Sequence, residues 1–239
     1  AENEGYQEFE STKNKIGNYL GVNKKEKKKK RAEKKGKDKD YWDWLGQEIA
    51  LATLPVNETG SKQAYLAIIH TNDYENAYHD LGEIAKKVRR RTPVKFKDYE
   101  YRGKEVKFLA LKGFFKLFLG KLFKQFDKPK YVILDEYVVF SNDTTAINRV
   151  IDADIKDEAL YGQEDYRRLT KEFDDESNFF IYVNMKELYP FLPSMLDDET
   201  ARDIRKNKQF ITCFPYIGLQ LSNDNELFET ELYLEFQKP

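Results

Sequence analysis

The side chains able to do nucleophilic or metal chemistry are few. The chain has two histidines, His70 and His79, and one cysteine, Cys213. Acyl transfer by a nucleophile needs a Ser or Cys beside a His and a donor pair for the oxyanion. No Gly-x-Ser-x-Gly elbow occurs. His70 ends a predicted strand, and His79 falls on the polar side of a predicted helix. A zinc site needs more nitrogen or sulfur ligands at suitable spacing than these provide. Cys213, beside Phe214 at the start of a predicted strand, reads as a small buried hydrophobe. Carboxylates are abundant, and Asp152, Asp154, Asp157 and Glu158 form the tightest group. That group lacks the mid-loop Gly and terminal Glu of a calcium loop, so it reads as helix-end and turn acids. Asp174, Asp175 and Glu176 read the same way. Two carboxylates can run glycoside hydrolysis, but no spacing singles out a pair. Phosphate-cradling Gly-rich loops are missing. No catalytic residue, metal or cofactor is expected.

The elements behind those residues follow from composition and patterning. With 239 residues the chain can hold one large domain or two small ones. An aromatic content of 15% excludes a disordered chain. Net charge −1 carries no global signal for nucleic acid. A single cysteine permits no intrachain disulfide. No apolar run approaches the roughly 20 residues of a membrane span, and no signal peptide opens the chain. The start Ala1-Glu2-Asn3-Glu4 has no initiator Met, which suggests a processed product or an excised fragment.

Residues 1–22 carry a thin helical stripe of Tyr6, Phe9, Ile16, Tyr19 and Leu20. Residues 23–40 hold no apolar side chain but Ala32 and read as a solvated, mobile Lys-rich insertion. Residues 41–239 restore the core signal. Glu48–Leu54 and Ala64–Thr71 are strand candidates. Asp73–Arg91 is the best helix, with Tyr74, Ala77, Tyr78, Leu81, Ile84, Ala85 and Val88 on one face. Val94–Tyr101 and Glu105–Leu111 predict a hairpin around Arg102-Gly103, with a bulge near Lys97-Asp98. Gly113–Phe126 predicts an amphipathic helix. Tyr131–Leu134 and Tyr137–Phe140 predict a hairpin closed by Asp135-Glu136. Ser141, Asn142 and Asp143 then offer helix caps. Glu164–Phe173 presents Tyr166, Leu169 and Phe173 on one side, and Phe179–Met185 is a strand. Lys186–Leu196 is a helix interrupted by prolines, and Asp197–Phe210 a polar surface helix. The C-terminal hairpin alternates clearly. Ile217, Leu219 and Leu221, then Phe228, Leu232, Leu234 and Phe236, point one way, and Glu229, Glu231 and Glu235 the other, which predicts one wet face. The expected class is α+β, a mainly antiparallel sheet built from hairpins with amphipathic helices covering one face.

The run Asp135–Asp143, DEYVVFSND, precedes a helix and an acidic spacer. Tyr161–Tyr166 and then Ser177–Asn184, SNFFIYVN, follow. This order resembles the DUF3352 family, and Trp44–Leu51 resembles the entry to the C-terminal half of its Bacteroidetes-type members. The resemblance spans Tyr41 to Phe236. It implies a longer parent with an N-terminal membrane anchor and most of its chain outside the cytoplasmic membrane. It implies no activity. The Lys-rich insertion departs from the pattern.

The expected function is therefore a non-catalytic extracytoplasmic binding or assembly module of the cell envelope. Its interaction surface is placed at Lys27, Lys28, Lys29, Lys30 and Arg31, and at Phe114, Phe115, Phe118 and Phe123. An envelope protein is the expected partner, with lipid or glycan contact through the same residues. Nucleic acid is not expected. Two alternatives stay open: a carboxylate-based glycan hydrolase, and anionic-polymer or nucleic-acid binding through the Lys-rich arm. Lys95, Phe96, Lys97, Tyr99, Tyr101 and Arg102 could also form a stacking platform, although strand aromatics of this kind usually pack. The oligomeric state is not readable.

Overall fold

A computed structural model describes residues 44–56, 63–91, 97–109, 115, 123, 125–224 and 227–238. They divide into two compact units. One comprises residues up to Leu54 and Ala64–Asp152; the other comprises 55–63 and Ala153–Pro239.

The first unit is built on a six-stranded sheet of order β1-β2-β6-β5-β4-β3. Its strands are β1 (Leu45–Pro55), β2 (Gln63–Thr71), β3 (Tyr99–Tyr101), β4 (Lys104–Phe108), β5 (Lys130–Leu134) and β6 (Tyr137–Ser141). Helix α1 (Tyr74–Arg91) follows β2, and α2 (Thr144–Ile155) follows β6. The β5–β6 and β3–β4 hairpins sit where the patterning puts them. In the second turn Arg102 and Gly103 have φ of 48° and 79°, which is the type I′ signature. The strand part of that hairpin is shorter than expected. Lys97 and Asp98 lie outside β3, and the Asp98 carboxylate accepts from the Phe108 amide and from Arg89.

The α+β class and the antiparallel sheet hold, but the helical cover is divided. Cross-strand partners share a face, and Tyr99 pairs with Val106 while Glu100 pairs with Glu105. The Tyr78 hydroxyl of α1 donates to Glu105 at 3.0 Å. On the other side, Tyr99 and Tyr101 donate to Asn148 and Asp152 of α2 at 3.0 and 3.1 Å. The two helices therefore lie on opposite faces. The main core lies under α1, where Ala77, Leu81, Ile84, Ala85 and Val88 meet Ala67, Ile69, Val138 and Phe140. Tyr74 and Tyr78, expected on that buried face, are exposed and stack on each other.

One local device occurs twice. β2 ends in Thr71-Asn72-Asp73 and β6 in Ser141-Asn142-Asp143. Each hydroxyl donates to a neighbouring carbonyl at 2.8 Å, Thr71 to Trp44 and Ser141 to Tyr65. Each accepts from the amide of its own Asp at 3.2 and 3.1 Å. Each Asp then caps a helix. Asp73 accepts from Asn76 at 2.9 Å and Asp143 from Thr145 at 2.8 Å. The hydroxyl ties strand end to helix start, so each helix leaves its strand at a fixed angle. Asp73→Ala and Asp143→Ala should each lower the unfolding free energy by about 1 kcal/mol. Urea unfolding followed by circular dichroism reads that change, and no shift in midpoint would mean the caps are idle.

The second unit holds a three-stranded antiparallel sheet of order β7-β8-β9. Its strands are β7 (Phe179–Asn184), β8 (Tyr216–Asp224) and β9 (Leu227–Leu234). Helix α3 (Glu164–Thr170) precedes it, and α4 (Met185–Leu188), α5 (Asp198–Lys206) and α6 (Lys208–Thr212) lie between β7 and β8. The predicted Lys186–Leu196 helix is only α4 and a 3-10 turn at Leu192–Met195. Proline accounts for the break, because it removes a helical donor and its ring clashes with the preceding turn. The predicted Asp197–Phe210 helix is split at Asn207, whose φ and ψ are −99° and 19°.

Candidate functional site

The expected interaction residues divide two ways. Lys27, Lys28, Lys29, Lys30, Arg31, Phe114 and Phe118 lie outside the described residues. Phe115 and Phe123 are core rather than surface, at 0% and 8% exposed. Their rings meet Phe126, and Phe115 sits edge-on to Phe140 at 4.8 Å. Burying these rings is the cheaper outcome, since an exposed apolar stripe gains nothing from water.

The candidate chemical groups are engaged in structure. Tyr101 and Arg102 of the proposed stacking platform both bind Asp152, the latter at 2.6 Å. Lys95 and Phe96 lie outside the described residues. His70 packs edge-on to Tyr137, and His79 Nδ1 lies 2.8 Å from Asp80. Cys213 is buried, with its thiol donating to the Phe210 carbonyl at 2.9 Å. It lies just after α6, ahead of the strand it was expected to open. Among the described residues no group of three or more His, Cys, Asp or Glu could hold a metal ion. Glu158 and Asp157 donate their amides to Ala153 and Asp154, closing the end of α2 as turn acids do. A groove of about 450 Å³ beside α1 is lined by Lys86, Arg89, Asp98 and Lys107. Three of its cations are paired, Lys86 with Glu83, Arg89 with Asp98 and Lys107 with Glu105, and Arg90 lies at its exposed side. The Arg89–Asp98 pair and the Tyr78–Glu105 hydrogen bond tie the β3–β4 hairpin and the residue before it to α1.

What stands apart is the β7–β8–β9 sheet. Phe179 pairs with Leu221, Ile181 with Leu219 and Val183 with Ile217; Ile217 and Leu219 pair in turn with Leu234 and Leu232. All these side chains share one face. That face is the open one. Phe179 is 46% exposed, Leu232 62%, Leu234 45% and Phe228 79%. The opposite face is covered. Leu169 of α3 is fully buried, Tyr166 meets Tyr182, and Phe173 packs on Phe180 and Tyr233. Gly218 makes room for Phe173 and Leu169 there. Gln220, 2% exposed, bonds the Asp174 amide and carbonyl at 3.1 and 2.8 Å and so fixes the acidic turn.

The alternation of this hairpin is as expected, but its solvent side is reversed. The face carrying the glutamates lies toward α3, and the apolar face meets water. Alternation alone fixes which residues share a face and leaves open which face is covered. Tyrosines and an ion pair explain how α3 tolerates the polar side. Tyr216 donates to Asp165 at 2.6 Å, and Arg168 bridges Asp165 and Glu235 at 2.7 and 3.0 Å. The Tyr216 bond, and then Arg168, hold the Asp165 carboxyl below the ordinary carboxylate range. The same bond, together with burial, pushes the Tyr216 phenol up to about 12. Burial raises the Tyr166 and Tyr182 phenols.

A phenol whose folded pKa is raised contributes stability fully present below its unfolded value, near 10, and lost as pH climbs through the folded value. The protein should lose stability between about pH 10 and pH 12. Burial raises the Tyr131 phenol further still, so absorbance at 295 nm should show a late-titrating tyrosine class, and Tyr216→Phe should remove one member of it while Tyr131 remains. A single titration step near pH 10 for all tyrosines would contradict this.

No helix among the described residues is long and apolar enough to cross a membrane. Residues 32–216 match the family described as "Protein of unknown function (DUF3352)". No curated protein matches the chain, and neither does any solved structure. With the match running from the Lys-rich stretch to the start of β8, the chain belongs to the DUF3352 family.

Proposed function

We propose that this protein is a non-catalytic binding or assembly module, and that it works through the open face of the β7–β8–β9 sheet. The observation carrying the reading is that a continuous apolar face is left in water while the polar face of the same sheet is covered. Contiguous exposed apolar surface costs solubility and marks interaction sites. The extracytoplasmic, cell-envelope setting is part of the proposal and rests on what the sequence resemblance implies.

Acid–base catalysis has less support. A general acid needs a carboxyl with a raised pKa. Among the described residues the perturbed carboxyls move the other way. Hydrogen bonds from Tyr78 and then Lys107 lower Glu105, those from Tyr216 and Arg168 lower Asp165, and those from the Thr200 amide and hydroxyl lower Asp197.

The test is charge insertion on the open face. Leu232→Asp and Phe228→Asp should leave thermal unfolding nearly unchanged, because both side chains already meet water, at 62% and 79% exposed. Each should abolish recovery of the protein in cross-linked envelope complexes when expressed in its parent cell. Undiminished complexes with both variants would move the interaction elsewhere on the molecule.

A further inference from the structure

We infer that the open face of the β7–β8–β9 sheet receives a basic amphipathic helix of a partner protein; this rests on the binding reading above and adds the occupant. Three observations select it. First, the face carries no charge: its rows are Phe179-Ile181-Val183, Ile217-Leu219-Leu221 and Thr230-Leu232-Leu234. Whatever covers it must present an apolar stripe.

Second, the size suits one helix. The outer strands of a three-stranded sheet lie about 10 Å apart, and a helix with its side chains is about 10–12 Å across. The sheet's other face already shows this solution, with the single helix α3 seated on β8 through Leu169 and Gly218. The shared ladder is six residues long, so the face offers on the order of 300 Å². A stable pairing of two copies takes about 800 Å² from each.

Third, the frame is acidic. The strands and the turn before β7, residues 174–184, 216–224 and 227–235, contain no Lys or Arg. Asp174, Asp175 and Glu176 stand exposed at one end, and Glu229 and Glu231 lie along the edge strand β9, on its other face. Glu235 is paired with Arg168. Carboxylates at the end and edge of an apolar strip whose strands hold no cation set up a negative field that attracts a helix with Lys or Arg on its flanks. The same carboxylates repel a second copy of this face and an anionic lipid surface.

The experiment uses the full chain, labelled with nitrogen-15, and three 18-residue peptides. One has a Leu stripe at three-four spacing with Lys flanks. The second has the same stripe with Glu flanks. The third has the Lys composition scrambled to remove the stripe. The Lys-flanked helix should shift the amides of residues 179–183, 217–221 and 230–234. Its affinity should fall about tenfold or more from low to high salt. Leu232→Asp and, independently, Phe228→Ser should abolish the shifts, and Glu229→Lys with Glu231→Lys should weaken them. Equal binding of the Glu-flanked helix would overturn the basic partner. Concentration-dependent self-association by sedimentation, lost in Leu232→Asp, would replace the helix with a second copy and leave the binding reading standing. Shifts with phosphatidylglycerol vesicles but not with the peptide would replace it with a membrane. If peptide, self-association and vesicles all leave these amides unmoved, the inference falls, while the binding reading is decided separately by the cross-linked complexes of Leu232→Asp.

Discussion

Phe140→Ala is expected to lower the unfolding free energy by about 3–5 kcal/mol. Phe140 lies in β6, an interior strand of the six-stranded sheet, and is 1% exposed. Its cross-strand partners are Ala67 on one side and Tyr131 on the other. Its ring meets Phe115 at 4.8 Å and Tyr131 at 5.7 Å. Truncation removes this apolar area and leaves a cavity beside the small Ala67 side chain. Both neighbouring strands are pinned by ladder hydrogen bonds, so the walls cannot close in, and the cavity term adds to the transfer term. A domain of this size has only about 5–15 kcal/mol in total, so the loss is a large share of it. Phe140→Leu keeps much of the bulk and should cost clearly less. Urea unfolding by far-UV circular dichroism reads both. A loss below about 1.5 kcal/mol for the alanine variant would mean that the aromatic cluster does not organise this unit.

That cluster was legible in part. The β-branched and aromatic runs around Asp135-Glu136 specify a hairpin by composition alone, and the hairpin is there. The spacing of Leu81, Ile84, Ala85 and Val88 specifies a buried helical face. Tyr74 and Tyr78 were misassigned to it because periodicity counts an aromatic ring as apolar. A tyrosine at the edge of the stripe keeps its hydroxyl in reach of water or, as here, of Glu105. The division of α1 and α2 between two faces depends on which parity of each strand meets which helix, and no single stretch of sequence carries that. Ser141, Asn142 and Asp143 read as helix caps from the sequence, and their twin Thr71-Asn72-Asp73 is legible by the same sign, since it too stands at the end of a predicted strand. The open face of the second sheet was half legible. The alternation was read correctly, and the usual preference for a polar wet side sent the solvent to the wrong face.

The last expectation separates folding from binding at that sheet. Gly218→Val should destabilise the second unit by about 3 kcal/mol, near the upper end for overpacking. The backbone there is ordinary strand, with Tyr182 and Tyr233 as cross-strand partners, so glycine is not needed for its conformation. It is needed for space. A Cβ at this position would lie 2.5 Å and 2.6 Å from Phe173 ring carbons and 2.9 Å from a Leu169 methyl. Both neighbours are side chains, but neither can swing away. Leu169 is fully buried, and Phe173 is held edge-on by Phe180 and Tyr233. A valine therefore lifts α3 from the sheet or strains the ladder. Phe173→Leu should relieve part of the damage, so the double variant should be more stable than the sum of the two single losses allows. Additive losses in that cycle would show that Gly218 and Phe173 do not share the site. Because the pleat puts position 218 on the covered face and Leu219 on the open one, Gly218→Val acts only through α3. Leu232→Asp acts only through the open face. One variant should melt the unit with its binding rows intact, and the other should silence the rows in a unit that still melts normally. If both change the melting together, the two faces do not divide the work of folding and recognition.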